Sequence, residues 1–180
     1  MDFFSYIITT FVAFVGLFLG LLLAKISPDE AHEFKKYIPC MQLFLMVMLY
    51  LVLFKYLPTT IAVLFTILSF LFIFMFWRKR DINTLDYIIF SVVFVLTSTN
   101  NTAHYYVTAI IFSFGLLAGT LFYVLHDKPK LHKINHGHHK HSGKQLTFIE
   151  MSNELFYKYL FFVIFALVNL IIALIFSNFV

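Results

Sequence analysis

The residues best equipped for chemistry in this chain are histidines. Five of the eight, His132, His136, His138, His139 and His141, fall in the stretch 131–144, LHKINHGHHKHSGK. Neutral imidazole is the commonest protein ligand for Zn²⁺, Ni²⁺, Cu²⁺ and iron. The expectation is that this stretch, with His126 just before it, can hold a divalent cation. Gly137 and Gly143 leave its backbone permissive, and no cysteine and few carboxylates lie close by. That pattern suits a flexible binder of several registers better than a closed tetrahedral zinc site. The same stretch is basic, so it would also meet anionic lipid headgroups, more strongly once its histidines are protonated at mildly acidic pH.

Part of the stretch resembles the histidine boxes of membrane di-iron hydroxylases and desaturases. His132 and His136 have the H-x-x-x-H spacing, and His138-His139 is similar to the end of H-x-x-H-H. The resemblance implies a metal-dependent, lipid-modifying enzyme with three separated histidine clusters. Here Asn135 stands where the second box would begin, the two boxes overlap, and His32 and His104 stand alone. Cation-diffusion metal transporters are similar in carrying a cytosolic His-rich loop on six spans, but they place Asp and His ligands within their helices.

The elements that must position these residues are set by composition. Of 180 residues, 61% are hydrophobic and 12% charged, with 25 phenylalanines. A soluble domain carries about 25% charged residues and could not hide so much apolar surface. In a bilayer every backbone polar group must be paired internally, which leaves helices or a closed barrel. The apolar runs are continuous and each roughly long enough to cross, so they predict helices. The expected fold is all-α, a polytopic bundle of six spans at 3–24, 37–54, 59–77, 82–98, 104–125 and 155–179, with a His-rich loop over 126–146. Ser27 and Pro28 suggest the N-cap and first turn of a short helix in the first loop. The segment 146–156 reads as an interfacial lead-in helix.

Orientation follows from the basic residues. Lys25, Lys35, Lys36, Arg78, Lys79, Arg80, Lys128, Lys130, Lys133, Lys140 and Lys144 lie in the first, third and fifth loops, whereas the second and fourth hold only Lys55. Positive loops stay inside, so both termini are expected on the non-cytoplasmic side, with the plasma membrane the expected location. The pI near 9.1 is then a topological signal and not a mark of nucleic-acid binding.

Within the spans, Gly16 with Gly20 and Gly115 with Gly119 form two small-xxx-small faces, which let another helix approach closely. They are expected to pack helices, either within the chain, against other membrane subunits, or in a homo-oligomer. Stripes of small and polar residues (Thr59, Ala62, Thr66 and Ser69; Thr84, Ser91 and Ser98; Ala166, Asn169 and Ala173) mark further bundle-facing sides, with Asn169 offering an interhelical hydrogen bond. No charged residue sits at the centre of a span. Asp86 is expected near the cytoplasmic interface, His104 at the outer mouth of its span, and His32 in the first loop. These three are the candidate functional polar groups outside the His-rich stretch.

With no convergent catalytic set, the expected function is non-enzymatic: a membrane-complex subunit or a transporter-like bundle. Divalent-metal handling through the loop is the alternative, and a metal-dependent lipid-modifying enzyme the third reading. If the loop feeds a metal pathway, changing His136, His138, His139 and His141 to alanine lowers metal flux in vesicles, and unchanged flux removes the loop from that role.

Overall fold

The computed structural model describes residues 3–76, 82–126 and 147–177. The five histidines of the 131–144 stretch, together with Arg78, Lys79 and Arg80, lie outside the described residues. What is described is entirely helical. The elements are α1 (Phe3–Ile26), α2 (Pro28–Phe34), α3 (Ile38–Tyr56), α4 (Thr59–Phe76), α5 (Ile82–Leu96), α6 (Asn101–His126) and α7 (Phe148–Ser177). Three stretches, Phe4–Ile26, Ile38–Tyr56 and Asn101–His126, are long and apolar enough to cross a membrane among the described residues.

The centre of the bundle is the pair α1 and α6. Ala13, Gly16, Gly20 and Ala24, one face of α1 at helical spacing, are all buried. A Cβ on Gly16 would stand 3.1 Å from the Cα of Phe112, and one on Gly20 would stand 2.9 Å from the Cα of Leu116. From the other side, a Cβ on Gly119 would come within 2.9 Å of the Leu21 nitrogen. Each of the three would also overlap a carbonyl oxygen, of Phe112, Leu116 and Leu17 respectively. The hydrogen that replaces Cβ on each glycine therefore points at a facing carbonyl, the arrangement of a Cα–H···O contact. Gly115 is buried on the same helix. The small-residue faces of α1 and α6 thus meet each other within the chain, the first of the three expected packings.

Residue pairs across the helix contacts give the directions. Thr9 meets His104, Gly16 meets Phe112 and Gly20 meets Leu116, so α1 and α6 run parallel. Tyr56 faces Tyr106, whereas Cys40 and Met41 share a hollow with Leu116 and Leu117, so α3 is antiparallel to α6. Phe94 packs beside His104 and Phe90 against Phe114, which makes α5 antiparallel to α6 as well. Lys25 lies over the Phe148 ring at 4.2 Å and Phe14 and Phe18 meet Phe156, so α7 is antiparallel to α1.

Several local expectations change. Ser27 does occupy the N-cap position of α2, but its side chain makes no capping bond, and Pro28 alone shapes that first turn. Helix α2 folds back so that Ala31 packs with Ala24 of α1 and Val124 of α6. The lead-in segment and the last span are one continuous helix. Its start is a capping box: the Glu150 carboxylate accepts from the Thr147 amide at 2.8 Å, and the Thr147 hydroxyl accepts from the Glu150 amide at 3.3 Å.

The outer surface is apolar. Phe4 is 72% exposed, Phe11 67%, Leu43 66% and Leu68 63%. Such a surface needs lipid or protein over it.

Gly20→Ala tests the α1–α6 seam because two effects oppose each other. Helix propensity alone would favour alanine by about 1 kcal/mol, whereas forcing a methyl into a closed seam costs about 1–3 kcal/mol. The expected outcome is net destabilisation in a detergent unfolding titration, larger for Gly20→Leu; a stabilised Gly20→Ala protein would show that the seam is not closed.

Candidate functional site

Two groups of polar side chains are buried between the helices. The first lies where α1, α5 and α6 meet. His104 is the fourth residue of α6 and is fully buried, not interfacial as its place near the end of a span suggests. Asn100 starts the helix that carries it: its side-chain oxygen accepts the Ala103 amide at 3.1 Å. The formal glycosylation sequon at Asn100 thus places its asparagine in a cap. The His104 ring stacks on Tyr6 of α1 at 5.4 Å between centroids and packs at 4.2 Å against Phe94 of α5.

Nε2 of His104 lies 3.0 Å from the hydroxyl of Thr9, which in turn lies 2.9 Å from the carbonyls of both Ser5 and Tyr6. The hydroxyl has one proton, so two arrangements exist. Thr9 donates to a carbonyl and accepts from Nε2–H, or it donates to a bare Nε2. In either case one hydrogen bond links α1 to α6. Nδ1 has no partner at hydrogen-bonding distance among the described residues. The backbone carbonyl of Phe94 lies beside the ring. That carbonyl belongs to the last turn of α5, and the Ser98 amide, which would take it in a continued helix, goes to Val95 instead.

The second group joins α3, α4 and α5. Asp86 is 8% exposed, Ser69 is buried, and Tyr50 lies against both, close enough for Ser69 to hydrogen-bond its hydroxyl and for the carboxylate to act on it electrostatically. Asp86, expected near an interface, is thus covered by neighbouring helices. Of the expected stripe Thr59, Ala62, Thr66 and Ser69, Ala62 and Ser69 are buried and Thr66 half-buried, whereas Thr59 at the start of α4 is exposed. Ser91 of α5 is buried as well and donates to the Ile88 carbonyl at 2.7 Å.

The remaining candidates are dispersed. His32 is half-buried on α2. His126 ends α6, with Nδ1 2.9 Å from the Phe122 carbonyl and its ring stacked on Phe122 at 4.1 Å. It joins neither His32 nor Asp86: among the described residues no three His, Cys, Asp or Glu side chains come together as a metal site. His132, His136, His138, His139 and His141 lie outside the described residues, as does the Asn169 side chain.

Inward-facing hydroxyls also bond their own helices. Thr10, Thr66, Thr97, Thr108 and Thr120 each donate to the carbonyl four residues earlier, at 2.7–2.9 Å. This keeps polar atoms satisfied where water is absent. The arrangement binds helices together. The sequence reading passed over two features: the pairing of Thr9 with His104, and the capping box of Thr147 and Glu150. The second has a sequence signal, T-x-x-E before an apolar run. The first has none, because its partners are 95 residues apart.

No family model matches this chain, and no similar characterised protein or solved structure is found.

The Thr9–His104 link is measured by a double-mutant cycle with Thr9→Val and His104→Leu. Bonds of this kind between membrane helices average about 0.6 kcal/mol and reach about 1.7. The expected coupling lies in that range in a detergent unfolding titration, and strictly additive losses would show that the two side chains do not interact.

Proposed function

We propose that this chain is a six-span integral membrane protein, with both termini on the non-cytoplasmic side, that serves as a non-catalytic subunit of a membrane complex. The observation that carries the reading is the contrast between a backbone-to-backbone α1–α6 seam at the centre and the many large apolar side chains exposed on the described helices outside it.

The helix directions support the span number. Helix α3 ends at the side where α6 begins, since α3 is antiparallel to α6. The chain between them must therefore cross twice or not at all. Helix α5 lies alongside α6 from His104 to Phe114, with Phe90, Val93 and Phe94 fully buried. It lies beside a helix long and apolar enough to span, which supports a crossing by α5 and, with it, by α4. Helix α7 then returns opposite to α1.

The positive residues support the orientation. Lys25, Lys35 and Lys36 mark one end of the bundle, and Lys55 is the sole described cation at the other. His126 and Thr147, which flank the His-rich stretch, sit at the end marked by Lys25, since Lys25 lies over Phe148. The stretch is then a cytoplasmic appendage, suited to contact anionic headgroups or a metal ion.

Single cysteines introduced after Cys40→Ala test the topology. Thr99→Cys is expected to react with an impermeant maleimide on intact cells, and Glu33→Cys only after permeabilisation; the reverse pattern overturns the orientation. The subunit reading is tested by native mass. After extraction in a gentle detergent, the 21.1 kDa chain is expected in a larger particle of defined mass. A particle holding one chain alone, extracted directly from the membrane with its lipids, would sink it.

A further inference from the structure

Helix α6 has a second seam, against α3, and this one is open. Three adjoining hollows run along it. The first, about 400 Å³, lies between Lys55, Tyr56 and Tyr106 at one end and Ser113 at the other. The second, about 560 Å³, continues from Leu45 and Ser113 to Met41 and Leu117. The third, about 350 Å³, continues from Met41 and Leu117 to Glu30 on α2. Because each hollow shares lining residues with the next, they form one trough. Over its first two hollows, from Tyr106 to Leu117, it follows α6 for about 16 Å, close to the ~15 Å of one leaflet of the hydrocarbon core.

The seam is open because α6 offers Ala109 and Ser113 there, and α3 answers with side chains and not with backbone. The Ser113 hydroxyl is spent on the Ala109 carbonyl at 2.8 Å, which leaves an apolar wall. The chemistry changes at the two ends, where Ser27, Glu30 and Thr120 line the far hollow and a cation lies at the near mouth. Lys55 is exposed, its ammonium 5.2 Å from the centre of the Tyr56 ring, and Tyr56 lies 6.1 Å from Tyr106. An apolar trough of leaflet length, opening on one cation flanked by two phenols, has the layout of a lipid: hydrocarbon below, phosphate above.

We propose that this trough is a binding site for one anionic glycerophospholipid. An acyl chain lies in the α3–α6 seam, and the phosphodiester sits at Lys55 between Tyr56 and Tyr106. The site is distinct from the polar groups around His104 and Asp86. The proposed topology enters only in naming the leaflet, which is the non-cytoplasmic one.

The test is native mass spectrometry of the full chain released from mixed micelles holding equal amounts of phosphatidylglycerol and phosphatidylcholine. Wild type is expected to retain one phosphatidylglycerol in preference to phosphatidylcholine. Lys55→Ala is expected to lower that preference about fivefold, the share of one lysine in attracting an anionic lipid. Ser113→Phe, which fills the middle of the trough, is expected to lower retention of both lipids. Ala109→Leu repeats the test one turn away, and an unfolding titration on both variants confirms that the bundle survives. Equal retention of the two lipids by wild type overturns the proposal, as does retention untouched by the filling substitutions. A dimer that disappears in Ser113→Phe also overturns it, because a second copy would then occupy the trough. A reversed topology would move the site to the other leaflet and leave the measured preference unchanged, so the two readings fail separately.

Discussion

The structure depends on one close approach, the contact of the α1 backbone with the α6 backbone. In lipid, apolar side chains gain little by leaving their surroundings for one another, so helices associate through packing and a few polar bonds. A seam with glycines on both sides maximises that packing. Gly16 and Gly20 admit the carbonyls of Phe112 and Leu116, and Gly119 admits that of Leu17. The Thr120 hydroxyl, 3.2 Å from the Gly20 carbonyl and 2.9 Å from that of Leu116, bridges the two helices at the same level. Because the contact joins residues 95 to 100 apart, it encloses just over half of the 180-residue chain. If α1 and α6 both span, their parallel run requires an odd number of crossings between them, which is a topological consequence of a steric fact.

Polar groups are arranged around this seam with little surplus. A hydroxyl facing another helix has two ways to be satisfied: its own helix's carbonyl one turn back, or a partner across the interface. Thr10, Thr66, Thr97 and Thr108 take the first. Thr9 takes both, which is why it can receive His104 without giving up its carbonyls. The histidine in turn fills the space between the Tyr6 and Phe94 rings, where an aliphatic side chain would pack but could not bond. The group thus locks α1, α5 and α6 at one level, while Lys25 on Phe148 ties α1 to α7 at the opposite end. Such a cation–π contact is worth about 0.5–1 kcal/mol at an exposed site.

How much of this was legible in the sequence depended on the range of the signal. The positions of the apolar helices follow from local hydropathy, and helices form at each of the six expected places. The buried stripe of Ala13, Gly16, Gly20 and Ala24 follows from period and residue size, both local. What the stripe would meet was not legible, because two glycine faces can serve one chain or two with the same pattern. The burial of His104 and Asp86 was missed for a related reason. Each sits near a helix end, where a sequence reading assigns it to the interface, but neighbouring helices of other lengths cover it. Ser27 shows the converse error: a residue of the right type at the right place makes no bond. The His-rich stretch was the most conspicuous feature of the sequence, yet the described residues organise themselves without it.

The two seams of α6 show how one helix can be a structural axis and a surface at once. Toward α1 it presents Gly119 and backbone, and at the glycines the main chains touch directly. Toward α3 it presents Ala109, Ser113 and Leu117, and the contact leaves room. Small residues therefore have opposite consequences on the two faces. Opposite another small face they close the gap, and opposite leucines and methionines they leave one. The difference lies in the partner and not in the residue. Glycine on both sides lets main chains touch, whereas Leu45 and Met48 hold α3 at side-chain distance over most of its length. Helix α3 is accordingly the least covered of the three long apolar helices, with Leu43, Phe44, Val47 and Leu51 exposed. Close packing therefore concentrates on the α1 side of α6, and the open seam lies on the α3 side.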